Sequence, residues 1–158
     1  MDDTLIANIN SCVKQDDEIW HLGDVIFGHV DNLPYIFDRI VCKNWRLVAH
    51  GNHDHKLISR GYDKTHFLSS EKYSEVRHRG ILICMFHYPI GSWNEIGRGS
   101  IQLHGHCHGN YSRTIGRQMD VGVDVTSFKP LLLDDIVDAM VKVPVQTCDH
   151  HSDKTSYH

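Results

Sequence analysis

Histidine occupies 14 of the 158 positions, and where these residues stand matters more than how many there are. Asp24 follows Gly23. Asn52, His53 and Asp54 follow Gly51, His87 precedes Tyr88-Pro89, and His106 and His108 bracket Cys107 after Gly105. Neutral imidazole is a nitrogen ligand for Mn, Fe, Zn and Ni, while carboxylates and amides supply hard oxygen. A His/Asp/Asn set is therefore the inventory of a mixed nitrogen and oxygen metal site. Cations in such a site can act as Lewis acids and lower the pKa of bound water.

Each polar cluster stands at the end of an apolar run, which suggests how it is positioned. Asp3 to Val13 carries Leu5, Ile6, Ile9 and Val13 at helical spacing, with Asp3 or Thr4 available as an N-cap. Glu18 to Leu22 reads as a short buried strand running into Gly23-Asp24, where glycine permits a sharp turn. A second helix is expected over Asn32 to Val41, followed by a strand from Trp45 to Ala49 that ends in His50-Gly51-Asn52-His53-Asp54. Lys72 to Met85 suggests a hairpin turning near Arg79-Gly80, and its second strand continues through Phe86 to deliver His87. Gly91 to Ser100 is too irregular for a regular element and leads to Ile101–His104 and then to Gly105-His106-Cys107-His108.

Asp120 to Val125 alternates as a strand should. Leu131 to Val141 is a closing helix with Asp134 and Asp135 in its first turn, where they favour the helix dipole. Helical and strand patterns interleave, so the fold class is α/β or α+β. The four clusters converge if their strands lie side by side, because ligands collect at one edge of such a sheet. If the segment is extended, His106 and His108 share one face and Cys107 points away.

The bulk composition narrows the function classes. The chain has one domain's worth of residues, 41% hydrophobic and 23% charged, which is a globular composition. Its 16 Lys and Arg against 20 Asp and Glu argue against a broad nucleic-acid-binding surface. The five cysteines are odd in number, widely spaced and without a C-x-x-C pair, so they read as reduced thiols. With neither a signal peptide nor a membrane span in evidence, a soluble cytoplasmic protein is expected.

Gly23-Asp24, Gly51-Asn52-His53-Asp54, His87 and Gly105-His106-Cys107-His108 resemble, in order and spacing, the motifs of calcineurin-like metallophosphoesterases. The match spans roughly residues 1–141. It is most similar to small bacterial and phage members, which also carry counterparts of His87–Pro89, Ser92–Asn94, Leu103–His106 and Gly122–Val125. The resemblance implies a sandwich of two sheets flanked by helices, and a phosphate-ester hydrolase with two divalent cations. Mn²⁺ is the expected cation, with Fe, Zn or Ni as alternatives. It further implies that Asp24 bridges the metals, that Asn52, His87 and His106 complete one site, and that His108 serves the other. His53 would be the non-ligand group that stabilises or protonates the leaving oxygen, and Asp54 would orient its imidazole.

The family's opening Asp-x-His has no counterpart before Asp24, so the chain reads as lacking the first strand. One metal site is then left with only Asp24 and His108, and is expected to be weak or empty. A phosphoesterase domain over 1–141 and a polar tail over 142–158 complete the organisation. The other Asp-x-His, Asp149-His150-His151, follows an alternating stretch, 141–145, that could form a replacement edge strand, although a polar tail is the plainer reading.

Overall fold

The computed structural model describes residues 2–147. They form a mixed α/β fold of two sheets and helices. Helix α1 (Asp2–Cys12) is followed by β1 (Glu18–His21), then by a 3-10 turn (Val30–Asn32) leading into α2 (Leu33–Arg39). Strand β2 (Asn44–Leu47) leads to two short helices, α3 (His55–Ser59) and α4 (Tyr62–His66), and to the two-residue strand β3 (Ser69–Ser70). These strands form a parallel sheet in the order β1-β2-β3.

The second sheet is built from β4 (Tyr73–His78), β5 (Ile81–Phe86), β6 (Ile101–His104) and β7 (Gln118–Asp120) in that order. β4 and β5 form the expected antiparallel hairpin, with Arg79 and Gly80 both in left-handed backbone at its turn. β5, β6 and β7 run parallel. Helix α5 (Leu133–Met140) closes the described chain.

Strand alternation distributes the side chains between separate cores. Ile19, Trp45 and Leu47 pack with Ile6, Ile9, Leu33 and Phe37 of the first two helices. The opposite face of the first sheet sends Trp20, Leu22 and Val48 into a second cluster with Ile83, Met85, Ile101 and Leu103 of the other sheet, and with Ile136, Val137 and Met140 of α5. Leu82 and Cys84, the alternate residues of β5, meet Trp93 and Ile96 of the loop that follows it. The two sheets thus share one apolar cluster, which fixes their strand ends relative to each other.

Two expectations and one alternative are corrected. The strand expected over 120–125 is Gln118–Asp120 instead. The Asp120 Oδ1 accepts the Gly122 N–H at 2.9 Å, and the Val125 N–H then reaches the Gly122 carbonyl at 3.0 Å, turning the chain out of the sheet. His106 and His108 are not in extended backbone: their φ angles are 63° and 49°. Residues 141–145 form a turn and irregular chain rather than an edge strand. The second Asp-x-His, at 149–151, lies outside the described residues.

No helix among the described residues is long and apolar enough to cross a membrane. Cys12, Cys42, Cys84 and Cys107 are free thiols.

Candidate metal centre

Backbone contact between two loops creates the site. Gly23, at φ 91°, and Gly51 face each other so closely that a Cβ on Gly23 would lie 2.3 Å from the Gly51 nitrogen. A Cβ on Gly51 would lie 2.1 Å from Asp24 Oδ1 and 2.3 Å from the Asp24 nitrogen. Both positions require glycine because backbone occupies the space of a side chain. The ends of β1 and β2 are thereby joined, and Asp24 comes to lie against Asn52-His53.

Asp54 locks this junction. It is 1% exposed, and Oδ2 accepts the N–H groups of Gly51 at 2.7 Å and Asp24 at 2.9 Å. Oδ1 accepts the Val25 N–H at 2.9 Å. The carboxylate expected to orient His53 is instead spent on three backbone donors, because those donors would otherwise be buried without partners. The His53 imidazole packs against Phe27, with ring centroids 5.0 Å apart, while its backbone N–H donates to Asp24 Oδ1 at 2.9 Å.

His87 arrives from the other sheet, buried at 1% exposure. Its Nδ1–H donates to the Leu22 carbonyl at 2.7 Å. In the neutral ring this leaves Nε2 with its lone pair turned inward, 3.1 Å from Asn52 Oδ1 and 3.3 Å from Asp24 Oδ2. With that tautomer three electron-pair donors converge on one another, an arrangement that a bound metal ion or a proton on Nε2 satisfies. The backbone-held Nδ1–H is also how a protein orients a metal-ligating imidazole.

The fourth contributor is the exposed His106, whose ring lies 5.1 Å from that of His87 and 4.6 Å from that of Tyr88. Asp24, His87 and His106 offer ligand atoms within 4.8 Å of one another, close enough to hold a metal ion. The Gly105 N–H donates to the His87 carbonyl at 3.0 Å, tying the two histidine-bearing loops together. Beneath them a buried amide pair sets the chain after His87: Gln118 Nε2 donates to the Ile90 carbonyl and to Gln102 Oε1, at 2.9 and 2.7 Å.

His108 stands apart. Its side chain is 58% exposed, and Nδ1 pairs with the Asp124 carboxylate. That hydrogen bond, aided by the nearby charges of Asp124, Asp120 and Asp24, holds the imidazole pKa above its ordinary value. Asp120 braces this loop as Asp54 braces the other, its Oδ2 accepting the Gly109 N–H at 3.0 Å. Cys107, between the two histidines, has its thiol pKa pushed up by burial and by Asp120.

Of the other histidines, His21 has its pKa lowered chiefly by desolvation, and its Nδ1 accepts the Gly23 N–H at 3.2 Å. His50 bonds Ser70 at 2.8 Å, and His104 bonds the Gly105 carbonyl at 3.0 Å.

No protein-family model matches the chain. An uncharacterized protein of Methanocaldococcus jannaschii is 28% identical over 149 residues, spanning 90% of this chain and 76% of that protein. The crystal structure of a protein of unknown function from Aquifex aeolicus is similar with a TM-score of 0.67 at 21% identity, over 87% of this chain and 84% of that one. The second likeness is one of fold.

The residues together are Asp24, Asn52, His53, His87 and His106; His108 belongs to a separate pair with Asp124. Sequence reasoning gave no role to Phe27, Tyr88, Asp120 or Asp124, although Tyr88 and Asp124 lie in the stretches His87–Pro89 and Gly122–Val125 that carry the resemblance. Asp120 and Asp124 carried a signal, flanking Gly122 in an otherwise apolar run, but strand alternation explained the same pattern. Phe27 carried none beyond lying three residues after Asp24.

Proposed function

We propose that the chain is a metal-dependent phosphoric ester hydrolase of the calcineurin-like type, using the two-sheet sandwich of that family. The carrying observation is the convergence of Asp24 Oδ2, Asn52 Oδ1 and the His87 Nε2 lone pair, with His106 beside them. Asp24, Asn52, His87 and His106 would hold one divalent cation, Mn²⁺ or else Fe, Zn or Ni, and Asp24 with His108 would hold a second, weaker one. Cations bound there supply Lewis acidity, both to activate water and to offset charge on the phosphoryl group.

The protein's own groups do the rest. The Leu22 carbonyl keeps the proton of His87 on Nδ1, so that Nε2 stays available as a ligand. Asp54 holds the Asp24 loop rigid through backbone bonds, and the His53 N–H fixes one oxygen of the Asp24 carboxylate. His53 is exposed to solvent and free to meet a leaving oxygen, to which it would donate a proton. Asp24, His106 and His108 all have left-handed backbone, at φ 55°, 63° and 49°. Such conformations cost on the order of 1 kcal/mol each, and they persist where function demands the geometry.

Purified protein loaded with Mn²⁺ is expected to hydrolyse a generic phosphate monoester or diester, with the rate falling about 100-fold or more in His53→Ala. Equal rates in the two proteins would end this reading. A second reading is a weakly active or inactive relative that keeps one metal for binding or regulation, and the engagement of His108 by Asp124 favours it. That reading predicts one equivalent of bound metal and no turnover.

A further inference from the structure

A cavity of ≈ 260 Å³ lies between the chain that follows Asp24 and the helix that follows His53. It is lined by Gly28, His29, Val30, Asp31, Lys56, Ser59 and Arg60. None of the candidate metal ligands lines it, yet both of its walls continue directly from the loops that carry them. Phe27 marks the boundary: the residue is 59% exposed and its ring stands 5.0 Å from the His53 ring, one residue before the cavity begins.

The cavity's charge is positive in a chain whose net charge is −4. Asp31 is already engaged, its Oδ1 accepting from the Tyr62 hydroxyl at 3.0 Å and lying 3.6 Å from Arg60. Lys56 has no ion-pair partner among the described residues. An exposed aromatic residue therefore touches a candidate proton donor and directly precedes, in the chain, a pocket with an uncompensated ammonium. Large exposed aromatics stack planar rings, and Lys with Arg binds phosphate oxygens.

We infer that Phe27 and the Lys56–Arg60 cavity form the leaving-group subsite of the enzyme. It would take an ester whose leaving portion carries a nucleobase, stacked on Phe27, and a further phosphate seated in the cavity. The substrate class is thus a nucleotide bearing more than one phosphate. This inference rests on the proposed phosphoesterase reading for its role in turnover, but not for its binding.

The test is equilibrium titration of the full chain with ADP, in its non-hydrolysable α,β-methylene form, and with inorganic phosphate at fixed Mn²⁺, by calorimetry. ADP is expected to bind at least tenfold more tightly than inorganic phosphate. Lys56→Ala and Phe27→Ala should each weaken ADP binding by about tenfold, while Phe27→Trp retains it. Both residues are exposed, so unchanged thermal transitions will verify that the variants are folded. The inference is overturned if ADP binds no better than phosphate, or if both alanine variants bind ADP like the wild type. Hydrolysis of p-nitrophenyl phosphate or of bis(p-nitrophenyl) phosphate by the wild type tests the phosphoesterase reading separately. Absence of that hydrolysis with ADP binding intact would overturn the enzyme reading and leave the subsite standing.

Discussion

Asp54 and Asp120 perform the same task in the two halves of the candidate site, in different surroundings. Asp54 is buried and gathers three backbone N–H groups from the loops after β1 and β2. Asp120 is half-buried and gathers two, from Gly109 and Gly122. The half around Asp24, Asn52 and His87 is consequently set by backbone contacts and desolvated bonds. The half around His108 rests on an exposed ion pair and is open to water. A buried charged acceptor that satisfies buried donors is costly to remove, whereas solvent replaces much of what an exposed one supplies.

The sharpest way to break this contrast is at the glycines. Gly51→Ala would place a methyl group 2.1 Å from Asp24 Oδ1, whereas a Cβ at Gly105 meets nothing within 4 Å. Gly51→Ala is expected to destabilise the fold by about 3 kcal/mol and to abolish Mn²⁺ binding, with Gly105→Ala within about 1 kcal/mol of wild type. Urea denaturation and equilibrium dialysis read both effects, and equal behaviour of the two variants would erase the distinction.

The braces themselves come next. Asp54→Ala should cost about 3 kcal/mol and Asp120→Ala about 1 kcal/mol in urea denaturation, since charged-acceptor hydrogen bonds contribute roughly 1.5–3 kcal/mol each when buried and are not additive. Comparable losses would mean that depth is not what separates the halves. At the ligands, His87→Ala should weaken Mn²⁺ binding by at least about 100-fold and His108→Ala by about tenfold, the scale on which supporting residues act.

The smallest effect concerns the exposed pair in metal-free protein. Asp124 raises the His108 pKa, so the pair's stabilisation is full below the ordinary histidine value of about 6.5 and is lost as pH rises through the raised folded value. Asp124→Asn should therefore destabilise the protein at pH 5.5 by no more than about 0.5 kcal/mol, given the exposure of both groups, and be neutral at pH 9. A larger loss at pH 9 than at pH 5.5 would contradict the assignment.

The elements that carry the site were legible because each is a short apolar run that gives way to a cluster of ligand-type side chains. Glu18–His21, Asn44–Leu47, Ile81–Phe86 and Ile101–His104 follow that pattern closely. The segment from 120 to 125 misled because alternation describes equally a strand and a turn whose apolar residues face outward, as Val123 and Val125 do at 40% and 43% exposure.

The sequence by itself determined which side chains can act as ligands and that they stand at strand ends, since residue chemistry and local periodicity are properties of adjacent positions. Only the tertiary structure decided their division. Asp54 bonds residues 29 and 30 positions away, His87 is oriented by a carbonyl 65 positions away, and His108 is drawn to an aspartate 16 positions away. Such partners are chosen by how the two sheets pack on their shared core, and no local pattern encodes that choice.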